Sequence, residues 1–220
     1  DSLALRERLR GGTARVVVIG AGFIGLEVAA TAHGLGCAVT VLEGASAPLI
    51  RGLGPELGVA ATRAHVEAGI DLRCGVDVVE VAADRVELGD GTVIDADVVV
   101  VGIGVAPATD WLDGSGLEIR DGIVCDATLN TGVEGIYAAG DTARWIHEGY
   151  GEELRIEHWT NASEQGAAAA TNLLVAAEDG DGMPYSPVPF FWSDQGKHRI
   201  QMLGRPATEP EDETEVVLGT

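Results

Sequence analysis

Three glycines and one acid carry the clearest chemistry in this sequence. Gly20, Gly22 and Gly25 stand as G-x-G-x-x-G inside VVVIGAGFIGLEVAA, and Glu43 follows 23 residues after Gly20. In such a pattern the first glycine permits a tight turn. The second lets backbone approach a pyrophosphate, and the third lets a helix pack closely on a strand. A helix starting there offers unpaired N–H groups and a favourable dipole to phosphates. Phe23 and Ile24, between the second and third glycines, are counted with them as cofactor-binding. An acid at the Glu43 spacing hydrogen-bonds an adenosine ribose and repels a 2′-phosphate. Gly44, Ala45 and Ser46 offer no arginine in its place, so NAD(H) is favoured over NADP(H). A solvated acid at a strand end is the plainer alternative. Arg51 could reach the phosphates or ribose; an ordinary surface arginine explains it equally well.

Glycines also end strands for purely structural reasons, so the motif means something only in the right elements. Those elements are legible. ARVVVIG reads as a short buried parallel strand, and FIGLEVAATAHGLG follows helical spacing, with Ile24, Val28 and Ala32 able to share a face. Gly34 and Gly36 end that helix and AVTVLE is a second strand, so residues 15–43 form a βαβ unit. SAPLIRGLG reads as a loop, and PELGVAATRAHVEAG as a helix with Pro55 in its first turn. From 71 to 102 the pattern switches to period two. Turn signals cut it into several strands, expected as a small antiparallel sheet returning to a central strand at 97–101. Residues 106–135 are loop-rich and GIYAAGD reads as a short strand. EHWTNASEQGAAAATNLLVAA is a long Ala-rich helix, EDGDGMP a linker, and PFFWSDQGKHRIQMLGRP the opening of a strand pair.

Composition narrows the function classes. The chain has 220 residues, 46% of them hydrophobic, enough for one large domain or two modest ones. No apolar run is long enough to cross a bilayer and no signal peptide is visible, which points to a soluble cytoplasmic protein. A formal net charge of −21 repels phosphate backbones and anionic membranes, so neither nucleic acid nor membrane is expected as a partner. Cys37, Cys74 and Cys125 form no CxxC pair, which leaves neither a zinc site nor a redox dithiol.

A nicotinamide dehydrogenase needs only one such fingerprint, yet TGVEGIYAAGD, residues 131–141, suggests a second nucleotide. Together with VGIGVAP (101–107), EHWTNASEQG (157–166) and PFFWSDQ (189–195), it resembles the two-dinucleotide flavoprotein reductases of the pyridine nucleotide-disulfide oxidoreductase superfamily. Within them it is most similar to the FAD-dependent, NADH-utilising ferredoxin reductases of oxygenase systems, the putidaredoxin and rhodocoxin reductase group. The resemblance spans almost the whole chain. It implies an α/β fold: an approach segment at 1–11, a Rossmann-like NAD-binding domain with a small antiparallel sheet at 12–104, the C-terminal part of an FAD-binding domain at 105–185, and the start of a truncated α+β C-terminal domain at 186–220.

The same resemblance implies roles. Asp141 would hold the flavin's ribityl chain, with Gly140 admitting its close approach. Glu157, His158 and Trp159, with Trp192, would lie around the flavin and nicotinamide rings. Glu27, one turn into the fingerprint helix, would face the same meeting place, and Gly102, Ile103 and Gly104 would line the nicotinamide side. Glu27 and Trp192 are thus the catalytic candidates. Each has a plainer reading: an acid favoured by the helix dipole, or a tryptophan serving the core. Asp141 could simply cap the segment after it.

The implied reaction is hydride transfer from NADH to FAD, then electron delivery to a [2Fe–2S] ferredoxin. The cofactors carry that chemistry, so no nucleophile or general base is needed. Lys197, His198 and Arg199, with Arg144, Arg155 and Arg205, are the candidate basic patch for an acidic ferredoxin; a solvated charged turn is the plainer reading. The family carries its FAD fingerprint ahead of the NAD domain, and none stands here. The sequence therefore reads as a fragment, inactive by itself, prone to self-association, with FAD expected in the intact parent. Two alternatives stay open: a disulfide reductase of the same superfamily, and a non-enzymatic NAD-binding or redox-sensing module.

Overall fold

A computed structural model describes residues 2–205. The chain divides into two compact units: residues 2–104 with 192–200, and residues 105–191 with 201–205.

The first unit is built on a four-stranded parallel sheet. Strands β1 (Arg15–Ile19), β2 (Ala38–Glu43), β3 (Asp71–Cys74) and β7 (Val98–Val101) lie in the order β3-β2-β1-β7. The buried run Val16, Val17 and Val18 is the sequence of a strand covered on both faces. Three helices belong to this unit: α1 (Ser2–Leu9), α2 (Phe23–Gly34) and α3 (Ile50–Ala68). Residues 1–11, expected as a mere approach, contain a helix whose Leu5 and Leu9 pack on the core. Helix α2 buries Gly25, Leu26, Ala29, Ala30 and Ala32. Ile24 lies 65% exposed, so the expected Ile24–Val28–Ala32 face is rotated: positions four apart drift round the helix, and the small residues take the inner side. The helix ends where Gly36, at φ +96°, lets its own N–H reach the His33 carbonyl and the Cys37 N–H reach that of Ala32.

Helix α3 begins earlier than the sequence suggests. Residues 50–53 already turn helically, Gly54 (φ 76°, ψ 169°) breaks the run, and Pro55 opens the longer part. Beyond it, β4 (Val78–Val81), β5 (Arg85–Leu88) and β6 (Val93–Asp95) form the expected antiparallel sheet. Two period-two segments are not in it. β3 extends the parallel sheet beside β2, and β7, expected as central, is an edge strand paired only to β1 among the described residues.

The second unit holds β8 (Ile123–Cys125), β9 (Ala143–His147) and β10 (Glu152–Leu154) in one small sheet, with the 19-residue helix α4 (Trp159–Ala177) against its core. GIYAAGD, read as a strand, is extended but makes only an isolated bridge between Asn130 and Tyr137, and a tight helical turn starts at Gly140. Strands β9 and β10 escaped the sequence reading because charges and glycines interrupt their pattern. Yet Trp145 on β9 is fully buried, its indole N–H donating to the Tyr185 carbonyl at 2.9 Å. The supposed linker at 178–184 is tied down too: the Asn172 amide exchanges hydrogen bonds with the Met183 backbone at 2.9 Å each. Strands β11 (Phe190–Gln195) and β12 (His198–Leu203) make the expected hairpin around Gly196. The remainder of the expected C-terminal domain, 206–220, lies outside the described residues. No helix among the described residues is long and apolar enough to cross a membrane.

Candidate functional site

The glycine turn of the first unit is held by steric contacts that only glycine survives. Gly20 sits at φ +103°, and a Cβ there would lie 2.3 Å from the Gly102 carbonyl oxygen. At Gly25 a Cβ would lie 2.0 Å from the Gly20 oxygen, so α2 rests directly on the turn. Gly22 differs in kind. It is extended (φ −79°, ψ −178°), needs no special conformation, and nothing lies within 4 Å of where its Cβ would be. The protein leaves that space open at the start of α2, where no side-chain hydrogen bond from Gly22 caps the helix.

Glu43 ends β2 at this turn. One carboxylate oxygen accepts from the Ala21 N–H at 2.7 Å and the other from the Ala45 N–H at 2.8 Å. A carboxylate has about four acceptor positions, so both oxygens keep capacity for a ribose hydroxyl. Cys74 pairs with Glu43 in the sheet register; burial and that carboxylate push its thiol up. Leu49, which the sequence did not single out, donates its N–H to the Ala21 carbonyl from left-handed backbone (φ 54°). That conformation is unfavourable for leucine, and burial of the side chain holds it. No sequence signal marks it.

The remaining first-unit candidates gather around this frame. Phe23 turns its ring toward Gly52 of α3, whereas Ile24 is exposed. Gly102 donates to the Ile19 carbonyl at 2.8 Å, and a Cβ on Gly104 (φ +120°) would meet the Arg51 guanidinium at 3.9 Å. Arg51 thus stands over the end of the GIG turn, with Ile103 exposed beside it. Glu27 on α2 accepts a 2.6 Å hydrogen bond from the Ser193 hydroxyl, next in chain to Trp192.

The candidates of the second unit depend on side-chain ties. Gly140, at φ +76°, donates its N–H to the Gln165 carbonyl oxygen at 2.7 Å, and a Cβ there would meet Ala162 at 3.5 Å. Arg155, only 12% exposed, donates to the Asp141 carbonyl at 3.0 Å, to Glu157 at 2.6 Å and to Asp121 at 3.2 Å. Burial alone would lower this guanidinium, and its bonds to Asp121 and Glu157 raise it overall. Arg155 therefore fixes two candidates, Asp141 and Glu157, a role the sequence reading missed by assigning it to a basic patch. His158 packs against Phe191 with tilted rings whose centroids lie 4.6 Å apart, and burial lowers its imidazole pKa despite nearby Asp141 and Glu157. Trp159, first in α4, is 81% exposed.

Two buried atoms here have no partner among the described residues: His158 Nδ1 and Gln165 Nε2. Each such group costs about 1–3 kcal/mol. They lie near the Gly140 turn, whose N–H the same Gln165 side chain accepts through its oxygen. An apolar cleft of about 250 Å³ borders the Gly140–Asp141 turn through Ala139 and Thr142, and is otherwise lined by residues such as Trp111, Ile123, Ile136 and Tyr137.

The arginines of the expected basic patch are ion-paired, and no ion pair holds Lys197 or His198 among the described residues. Arg144 is paired with Glu153 and Asp121, Arg199 with Asp194, and Arg205 with Glu152 while stacking over Tyr150. Together with Arg155, every arginine of the patch is neutralised by a neighbouring acid, as an excess of acids makes natural. Cys37 and Cys125 are buried, the latter with its thiol pushed up to about 11 by burial, and no cysteine is in a disulfide.

Residues 1–166 match the family described as Pyridine nucleotide-disulphide oxidoreductase. The chain is 41% identical over 211 residues to the anthranilate 1,2-dioxygenase system ferredoxin--NAD(+) reductase component of Burkholderia cepacia, covering 93% of this chain and 50% of that protein. It is 40% identical to rhodocoxin reductase of Rhodococcus erythropolis, covering 93% of this chain and 47% of that one. Among solved structures, the covalent putidaredoxin reductase–putidaredoxin complex superposes with a TM-score of 0.84 at 35% identity, over 93% of this chain and 49% of the other. The chain thus spans about half the length of the curated relatives it matches.

Proposed function

Because the chain belongs to the pyridine nucleotide-disulphide oxidoreductase family, we propose that it carries the NADH site and part of the flavin site of an NADH-dependent ferredoxin reductase. Hydride would pass from NADH to FAD, and electrons onward to a [2Fe–2S] ferredoxin. The observation that carries this reading is the contrast within the glycine motif. Protein atoms fill the space beside Gly20 and Gly25 and leave it open beside Gly22, as a pyrophosphate resting on the α2 N-terminus requires.

The chain's own residues then have distinct work. The α2 N–H groups and Arg51 bind phosphates, and Glu43 receives the adenosine ribose and disfavours a 2′-phosphate. Gly102, Ile103 and Gly104 line the nicotinamide end with Glu27, and Trp192 supplies a flat wall. In the second unit, Gly140, Asp141, Glu157, His158 and Trp159 would hold FAD, whose polar groups would satisfy the two unpartnered nitrogens. When bound, FAD supplies the step from two-electron to one-electron chemistry. On this reading residues 12–104 are the NAD-binding domain and 105–185 part of the FAD-binding domain. The unpaired cysteines fit a reducing, cytoplasmic compartment.

Gly22→Ala tests the reading. NADH binding to the chain, followed by nucleotide fluorescence, should weaken about tenfold or more while thermal stability changes little, since the new methyl meets only open space. Equal NADH affinity in the variant would overturn the assignment. For the reductase as a whole, the intact protein should show flavin absorption that NADH bleaches.

A further inference from the structure

Three side chains outside the candidate residues, His65, Gln195 and Ser193, form a continuous polar chain in the first unit that ends on Glu27. His65 on α3 places Nε2 2.7 Å from the Gln195 side-chain oxygen. The Gln195 amide nitrogen lies 3.2 Å from the Ser193 hydroxyl, which donates to Glu27 at 2.6 Å. His65, Gln195 and Ser193 are 5%, 2% and 1% exposed, so solvent does not stand in for any missing bond. Strand alternation turns Ser193 and Gln195 inward while Trp192 and Asp194 face out, and helical spacing puts His65 on the buried Gly58–Thr62–His65 stripe of α3.

The direction of this chain is set by its last member. A carboxylate only accepts, so the single Ser193 proton goes to Glu27. Ser193 must then accept from Gln195, which turns the amide NH₂ toward the serine and the amide oxygen toward His65. An amide oxygen also only accepts, so His65 carries its proton on Nε2. Four residues drawn from α2, β11 and α3 are thereby fixed in one pattern, and Glu27 is the only member of it at the open end.

We propose that His65, Gln195 and Ser193 are positioning residues that hold the Glu27 carboxylate in place at the nicotinamide end of the site. This use of Glu27 rests on the dinucleotide reading of the proposed function; the chain's direction does not. The buried donor from Ser193 fixes one oxygen of the half-buried Glu27 carboxylate and leaves the other outside the chain. A hydrogen bond between a neutral donor and a charged acceptor is worth enough that its loss should weaken an interaction made through that carboxylate about tenfold.

The first measurement needs no variant. Nitrogen-15 NMR of the His65 ring at about pH 8 should show the Nε2–H tautomer. The Nδ1–H tautomer would overturn the chain. Second, Ser193→Ala should bind NADH about tenfold more weakly, and Ser193→Thr, which keeps the hydroxyl, should restore binding to within about threefold of the unaltered chain. A folded Ser193→Ala variant with unaltered NADH affinity would overturn the positioning role. If the unaltered chain binds no NADH at all, the dinucleotide reading fails, and the His65 tautomer alone decides the hydrogen-bonded chain.

Discussion

The two units build their candidate sites by opposite means. In the first, backbone meets backbone: Gly25 against Gly20, and Gly20 against Gly102, at distances that exclude any side chain. In the second, the site is strung from side chains. Arg155 reaches Asp141 and Glu157, Gln165 receives the Gly140 N–H, and two buried nitrogens have no partner among the described residues. A backbone-built site tolerates almost no change at the few positions that make it. A side-chain-built site degrades in steps, because each tie is one bond among several.

The largest expected effect tests the backbone half of this contrast. Gly25→Ala places a methyl into the Gly20 carbonyl, which cannot rotate away, and should destabilise the first unit by about 3 kcal/mol in urea unfolding. A loss below about 1 kcal/mol would show that the turn can yield, and the contrast would weaken. Next comes Arg155→Ala, expected to remove about 2 kcal/mol through lost charge-assisted bonds. Its signature should be local: faster amide exchange around 140–157, with β1 and β7 as protected as before. Equal loosening in both units would break the comparison.

The smallest effect concerns pH. Burial depresses the His158 imidazole below its ordinary 6.5, so the unfolded chain takes up a proton first as pH falls. Stability from this group is complete above about pH 6.5 and declines as pH drops through the folded value. His158→Gln should flatten that acid-side slope, by no more than one proton's share of about 1.4 kcal/mol per pH unit. An unchanged slope would mean that His158 is not the group responsible. A ligand that satisfies His158 Nδ1 would sharpen the comparison further by changing the slope in the second unit only.

Much of the first unit was legible because its rules are local. A valine run, three glycines at fixed spacing and an acid at the next strand end specify strand, turn, helix and strand without reference to distant residues. Errors arose where the decision was non-local. β3 and β4 share the same period-two texture, yet one joins the parallel sheet and the other the antiparallel one. Nothing inside either segment encodes that choice. The motif IYAAGD was readable as a nucleotide signal but not as an extended segment lacking a ladder, since pairing depends on what lies alongside. Arg144, Arg199 and Arg205 are neutralised by acids five or more residues away, and only Arg155 has a partner beside it in sequence, Glu157.

By itself, then, the sequence determined the chemistry that backbone geometry can carry: a dinucleotide turn, its helix, its acid, and a family likeness that extends over both units. Only the tertiary structure decided which side chains stand behind those residues. Arg155 beneath Asp141, Leu49 strained against the glycine turn, and His65 joined to Glu27 through Gln195 and Ser193 all bring together residues well separated in sequence. His65 and Gln195 lie 130 residues apart, and Ser193 and Glu27 lie 166 apart. The physical reason is one of reach. Propensity, spacing and turn chemistry act over a few residues, whereas a buried hydrogen bond is chosen by whatever the fold brings within about 3 Å.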